Sequence, residues 1–363
     1  MNKQIAVLGA SGYTGAELVR LVHAHPNMDI TALAADRKAG QSMASVFPHL
    51  GHLDLPDLVK IEDIDYSQID LVFCGLPHGV AHDFVRTVPD HVKIVDLSPD
   101  FRLEDGAAYE KWYGGAHKAL DLQASAVLGL PEMYRESIKS ARIAANTGCF
   151  VATSLLPLIP ALKGGVIESD PIIIDAKSGV SGAGRGLKEP MLYSEANEGF
   201  KSYGVAHHRH MGELDQELSK AAGQEVCATF TPHLVPMTRG MQATIYAKGD
   251  ADVVRAHLTH YYADEPFVHV LAEGEVPQTQ HVKGSNLCRI SVFADRQAGR
   301  VIILSVLDNL MKGASHNQLS LLTEMDGMDA LKTVDASHNK ITGIVHVLLL
   351  ISQPNKAKSE ATL

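Results

Sequence analysis

Cysteine is scarce in this chain: Cys74, Cys149, Cys227 and Cys288 are all there is in 363 residues, with no Cys-x-x-Cys spacing. That excludes a zinc ribbon or a disulfide scaffold and suits free thiols in a reducing compartment. Long apolar runs are missing as well. The longest late one, 344–351, is interrupted by His346 and falls far short of the roughly 20 residues of a bilayer span. Basic charge is not in surplus, with 32 Lys and Arg against 42 Asp and Glu and a net charge of -10, so neither nucleic acid nor an anionic membrane is expected as partner. The N-terminus has no basic stretch followed by a signal-length apolar core, which points to a cytoplasmic protein. Neither repeats nor low-complexity linkers mark a boundary, so domains must be read from a change in element pattern.

What is present is a chain of average globular composition, 45% apolar and 20% charged, long enough for two domains. Up to about residue 147, short β-branched runs (4–8, 29–33, 71–74 and 92–96) alternate with amphipathic stretches such as 16–25. This is the pattern of a parallel sheet wound by helices. From about 171 to 310, longer strand patterns follow at 171–176, 226–230, 241–248, 288–294 and 300–307. The last two flank a turn-rich segment, 295–299, suited to a hairpin. The fold class is therefore α/β, an N-terminal Rossmann-type parallel sheet plus an α+β domain with a mainly antiparallel sheet.

The first strand runs into Gly9-Ala10-Ser11-Gly12-Tyr13-Thr14-Gly15 and then a helix. Small residues let the backbone approach a pyrophosphate at the positive end of that helix, so the loop predicts dinucleotide binding. The next strand ends at Asp36-Arg37, where an acid would bond a ribose diol and an arginine a 2′-phosphate. The two neighbours argue in opposite directions. Asn146-Thr147-Gly148-Cys149 precedes a helical apolar stretch that Pro157 and Pro160 are expected to kink or shorten. A cysteine at a helix start feels a dipole that favours thiolate, which makes Cys149 the candidate nucleophile; Cys74, Cys227 and Cys288 read as packing residues inside strands. His207-His208-Arg209-His210 holds three histidines in four residues, but neighbours point in different directions and no second ligand cluster exists, so one catalytic imidazole is expected and no metal. The glycine-rich segment 177–185 can bring backbone N–H groups to an anion or to the nicotinamide end of a cofactor.

Taken together with Gly75-Leu76-Pro77-His78-Gly79, Asp96 to Leu103, Gly129-Leu130-Pro131-Glu132, Pro232 to Gly240 and Leu307-Asp308-Asn309, these motifs resemble the N-acetyl-gamma-glutamyl-phosphate reductase family of arginine biosynthesis, in order over residues 3 to 314. The resemblance implies NADP-dependent reduction of N-acetyl-gamma-glutamyl phosphate through a thioester on Cys149, with His210 as general acid and base. It implies Arg102 at the phosphate, Asn146, His208, Arg209 and Glu213 on the substrate side, and Gly9, Ser11, Gly12, Tyr13, Thr14, Gly15, Arg37, Pro77, Ser178, Gly179 and Asn309 at the cofactor. A homo-oligomer, dimer or tetramer, goes with it. The implied domains are 1–148 for NADP, 149–310 for catalysis and oligomerisation, and a helix in 311–330 returning to the first domain, with an atypical tail over 331–363. Thr147, Phe150 and Gly212 depart from the family's Pro, Tyr and Pro, and the family pattern stops at His316. An aspartate-semialdehyde dehydrogenase and a non-catalytic dinucleotide sensor are the competing readings.

Overall fold

In the computed structural model, which describes residues 2–325, the first part of the chain supplies seven strands: β1 (Lys3–Leu8), β2 (Met28–Ala34), β3 (Leu58–Val59), β4 (Leu71–Cys74), β5 (Lys93–Asp96), β6 (Ala126–Gly129) and β7 (Ile143–Asn146). They form one sheet in the order β3-β2-β1-β4-β5-β7-β6, and every pairing is parallel. The central strands are apolar at consecutive positions because both faces are covered. Ile5 and Val7 pack with Leu18 and Val22 on one face, while Ala6 and Leu8 meet Phe84 and Val85 on the other.

Strand order reverses between β1 and β4, which puts a crevice at their carboxyl ends. The loop after β1 enters it. Gly9 has a φ of +75°, and a Cβ there would lie 2.4 Å from the Gly75 carbonyl oxygen. Only glycine permits that turn and that approach. The following helix, Tyr13–His23, begins three residues before the expected Ala16, because its N-cap is Gly12 within the loop itself.

The second sheet comprises β8 (Ile173–Gly179), β9 (Lys201–Ser202), β10 (Thr229–Val235), β11 (Met241–Lys248), β12 (Val268–Val270), β13 (Cys288–Ala294) and β14 (Arg300–Leu307). Its order is β12-β13-β14-β11-β8-β10-β9, with parallel pairing only for β8–β10 and β12–β13. β13 and β14 form the expected hairpin. β10 starts at Thr229 and not at Val226, since side chains of the preceding helix already occupy the earlier backbone N–H groups: Val226 donates to Ser219 and Ala228 to Asp215. Cys227 consequently sits exposed outside any strand, contrary to its expected packing role.

The helix Cys149–Lys163 lies against this sheet, with Val151, Leu155, Leu158 and Ile159 wholly buried. Each such side chain contributes about 1.5–3 kcal/mol. Pro157 and Pro160 neither shorten nor interrupt it. Pro160 cannot donate to the Leu156 carbonyl, and the Tyr262 hydroxyl takes that carbonyl instead. After β14, one π-helical turn, Met311–Ser315, leads into the helix His316–Met325, whose Leu319, Leu321 and Met325 join the core around Leu18 and Val22. The rest of the expected 311–330 segment and the tail over 331–363, including the 344–351 run, lie outside the described residues.

Candidate active site

Cys149 is the first residue of its helix and is reached from β7 through Thr147 and Gly148. Glycine is required at two places around it. A Cβ on Gly148 would come 2.6 Å from His210 Nε2 and 3.0 Å from Arg102 Nη1, and one on Gly313 would come 2.7 Å from Cys149 Cβ. The imidazole and the guanidinium therefore press on the residue just before the thiol, and the π-helical turn backs it from the other side.

Arg102 follows β5 and is buried, donating from Nη2 to the Leu97 carbonyl at 2.7 Å and pairing through Nη1 with Glu213 Oε1 at 3.3 Å. Glu213 stands one helical turn after His210, and its Oε1 lies 3.8 Å from His210 Nε2. The Tyr113 hydroxyl donates to the same oxygen at 3.0 Å. Four buried polar atoms in this small volume have no hydrogen-bond partner among the described residues: Arg102 Nε, Thr147 Oγ1, His210 Nδ1 and Glu213 Oε2. Such a concentration of unpaired polarity marks a place for a polar ligand.

Burial pushes the Cys149 thiol up to about 11, although the Phe150 N–H and the Arg102 charge oppose it. The expected thiolate is thus not the resting form, because loss of water outweighs the helix start. His210 is held well below the ordinary histidine range, first by burial and then by His208, Arg102 and Arg209. A neutral imidazole and a buried guanidinium that both lie against Gly148, the residue before a neutral thiol, are suited to removing the thiol proton as the sulfur attacks.

The remaining predicted residues fall into three groups. His208 is T-shaped to His210 with centroids 4.7 Å apart and accepts the His210 backbone N–H, whereas Arg209 and His207 are exposed. Asn146 is fully buried, its amide oxygen held by Asn317 and its nitrogen donating to the Thr147 carbonyl. On the cofactor side, Gly9, Ser11, Gly12, Tyr13, Thr14 and Gly15 form the turn into a helix that has no side-chain cap, so its N-terminal N–H groups and dipole suit a pyrophosphate. Pro77 lies in the loop after β4, and the neighbouring Gly79 N–H is bound by buried Asp100. Arg37 is exposed at the end of β2, beside Asp36, whose carboxylate takes the Ile61 N–H at 3.4 Å. Ser178 and Gly179 end β8; Asn309 bonds Ser181 Oγ and the Gly240 N–H, tying that loop to the end of β14. The two sheets are clamped by Arg239, which pairs with Glu17 on the first helix and with Asp308.

Sequence reasoning missed Tyr113, Asn317 and the fully buried Lys312, which pairs with Glu132. Their partners are 100 or more residues away, beyond any local pattern. Nor does the sequence say what adjoins Gly212, where the family has proline. The Trp112 indole packs there, and a Cβ would lie 2.4 Å from its Cδ1. Among the described residues no cluster of His, Cys, Asp and Glu could hold a metal ion, and no helix is long and apolar enough to cross a membrane.

The two sheets, the glycine turn and the cysteine heading the second unit define a semialdehyde dehydrogenase-type protein. Residues 4–141 match a sequence-family model described as "Semialdehyde dehydrogenase, NAD binding domain", and 149–309 one described as "Semialdehyde dehydrogenase, dimerisation domain". The fold is shared with aspartate semialdehyde dehydrogenase II of Vibrio cholerae complexed with ASA, at a TM-score of 0.69 and 15% identity over 90% of this chain and 98% of that one. It is shared too with aspartate semialdehyde dehydrogenase with NADP from Candida albicans, at 0.64 and 18% over 90% and 98%. Sequence is more specific: the N-acetyl-gamma-glutamyl-phosphate reductase of Ruegeria pomeroyi is 57% identical over 320 residues, 88% of this chain and 94% of that one. The chain belongs to the N-acetyl-gamma-glutamyl-phosphate reductase family.

Proposed function

We propose that this chain reduces N-acetyl-gamma-glutamyl phosphate to N-acetylglutamate 5-semialdehyde with release of phosphate, and that Cys149 carries the acyl group. The observation that supports this most is the meeting of Cys149, His210 and Arg102 at Gly148, amid unpaired buried polar atoms. His210, neutral at rest, takes the thiol proton as sulfur bonds the acyl carbon. The bond from that carbon to the phosphate oxygen then breaks, and Arg102 offsets the charge on the departing phosphate. NADPH, when bound, would supply the hydride that reduces the thioester carbon. His210 returns its proton to the resulting oxyanion, and then withdraws it as the carbon–sulfur bond breaks and the aldehyde leaves. His208, Arg209 and Asn146 line the substrate side, and Glu213 orients His210 and Arg102.

The glycine turn of residues 9–15 holds the pyrophosphate, while Pro77, Ser178, Gly179 and Asn309 flank the nicotinamide. NADP is preferred over NAD through Arg37, since Asp36 already has the Ile61 N–H as a partner. A second copy packs on the face of the second sheet that the described residues leave open, where Ile173 and Tyr246 are about two-fifths exposed (40% and 38%); the matched dimerisation domain agrees. Free cysteines throughout the described residues fit a cytoplasmic location. The test is mass spectrometry of protein mixed with the acyl phosphate and no NADPH. A peptide containing Cys149 should carry the acyl mass, absent in Cys149→Ala; an unmodified Cys149 with intact turnover would remove the covalent route.

A further inference from the structure

Glu213 Oε1 is the meeting point of three groups from separate parts of the chain: Arg102 Nη1 at 3.3 Å, His210 Nε2 at 3.8 Å and the Tyr113 hydroxyl at 3.0 Å. Tyr113 ends the helix Gly106–Tyr113, which inserts between β5 and β6 in sequence and packs on the helix His210–Ala222. Its ring is fixed independently of that bond. It stacks on Tyr109 at 5.1 Å and tilts against His78 at 5.2 Å, in the loop after β4. Tyr109 in turn donates to Asp100, the buried carboxylate that anchors that loop.

We infer that Tyr113 is a positioning residue: its hydroxyl, with Arg102, occupies Glu213 and so keeps that carboxylate from stabilising a protonated His210. This rests on His210 acting as the base in the function proposed above. The surroundings make Glu213 decisive. Facing His210 and the carboxylate are Arg102 from the segment after β5, Arg209 and His208 from the turn before the helix, Tyr113, and Cys149 from the nucleophile helix. Tyr203 lies beyond Cys149, and Asp96 lies behind Arg102. Burial first, then His208, Arg102 and Arg209, disfavour an imidazolium, and Glu213, 3.8 Å from Nε2, is the carboxylate among the described residues placed to favour it. Tyr113 stays a donor at any working pH, since burial and the Glu213 charge push its hydroxyl well above the usual range. Without that donor, the nearest replacement for Glu213 Oε1 is a proton on His210 Nε2.

The experiment is Tyr113→Phe, which keeps the ring contacts and removes one oxygen. The apparent pKa of His210, followed by ring ¹⁵N shifts in histidine-labelled protein and assigned with His210→Asn, should rise by about one unit. The acid limb of kcat/KM should move up with it, because the neutral form is the active one. In a Glu213→Gln background the same substitution should move neither. An unchanged His210 titration in Tyr113→Phe, or an equal shift in the Glu213→Gln background, would overturn the inference. The titration needs neither substrate nor cofactor, so a shifted His210 in a protein that does not reduce the acyl phosphate would remove the proposed function and leave the role of Tyr113 standing.

Discussion

Replacing Gly148 by alanine should separate the catalytic groups while sparing the fold. The backbone there, at φ -66° and ψ 149°, is open to any residue, so no conformational strain accompanies the change. The whole effect is steric. The new methyl would stand 2.6 Å from His210 Nε2, 2.8 Å from its Cε1 and 3.0 Å from Arg102 Nη1, against an ordinary contact of 3.4 Å or more. Imidazole and guanidinium must both retreat by several tenths of an ångström. Overpacking of this kind costs about 1–3 kcal/mol, which in a chain this long lowers the melting midpoint by no more than roughly 10 °C. Catalysis is more sensitive, because a misplacement approaching 1 Å costs about 10²-fold. Steady-state NADPH oxidation with the acyl phosphate, beside thermal melting and NADP binding, reads both consequences. A folded, cofactor-binding variant that keeps kcat within about threefold of the parent, under 1 kcal/mol of barrier, would refute the placement of His210 and Arg102 against the nucleophile.

His210→Asn should lower kcat by roughly 10² to 10⁴, whereas His207→Asn, whose ring is exposed and bonded to the Val205 carbonyl, should stay near the parent value; equal losses would indicate a shared structural role. Arg37→Ala should raise KM for NADPH far more than for NADH, and a parent enzyme preferring NADH would reverse the assignment of Asp36 and Arg37. Acid should destabilise the fold. Burial holds His25 and His208 at about 4 and His117 and His210 below their ordinary value, so between about pH 6.5 and 4 the unfolded chain binds protons that the native one does not. Asp96, raised to about 7 by burial, and the raised Asp215 act in the opposite sense but are fewer. The melting midpoint should therefore fall between about pH 7 and 5, and a flat or rising midpoint would show the histidines to be solvated.

The sheet architecture was legible because β4 and the second part of β1 are continuous apolar runs, and because β11 alternates buried side chains with half-buried and then exposed ones along its length. The glycine turn was legible because a 2.4 Å approach of backbone to backbone leaves no alternative residue. Three readings failed for reasons that no local pattern carries. Pro160 in the nucleophile helix leaves the Leu156 carbonyl to a hydroxyl from Tyr262, about a hundred residues on. The start of β10 was decided by Ser219 and Asp215 side chains competing for backbone N–H groups. The state of the Cys149 thiol depends on how dry its surroundings are, which is a property of the assembled core. Tyr113 escaped for the same reason: its partner Glu213 lies 100 residues away in sequence, and only the packing of two helices brings them together.

The most direct measurement is the reverse reaction: reduction of NADP by N-acetylglutamate 5-semialdehyde, with and without inorganic phosphate, and with aspartate semialdehyde as the competing aldehyde. The aldehyde adds to Cys149 as a thiohemiacetal, and loss of its hydride to NADP leaves a thioester that phosphate releases as the acyl phosphate, so turnover should be continuous with phosphate and stop after about one equivalent per site without it. The acetylated aldehyde should be the better substrate by kcat/KM. Continuous NADPH formation in the absence of phosphate, or preference for aspartate semialdehyde, would contradict the account.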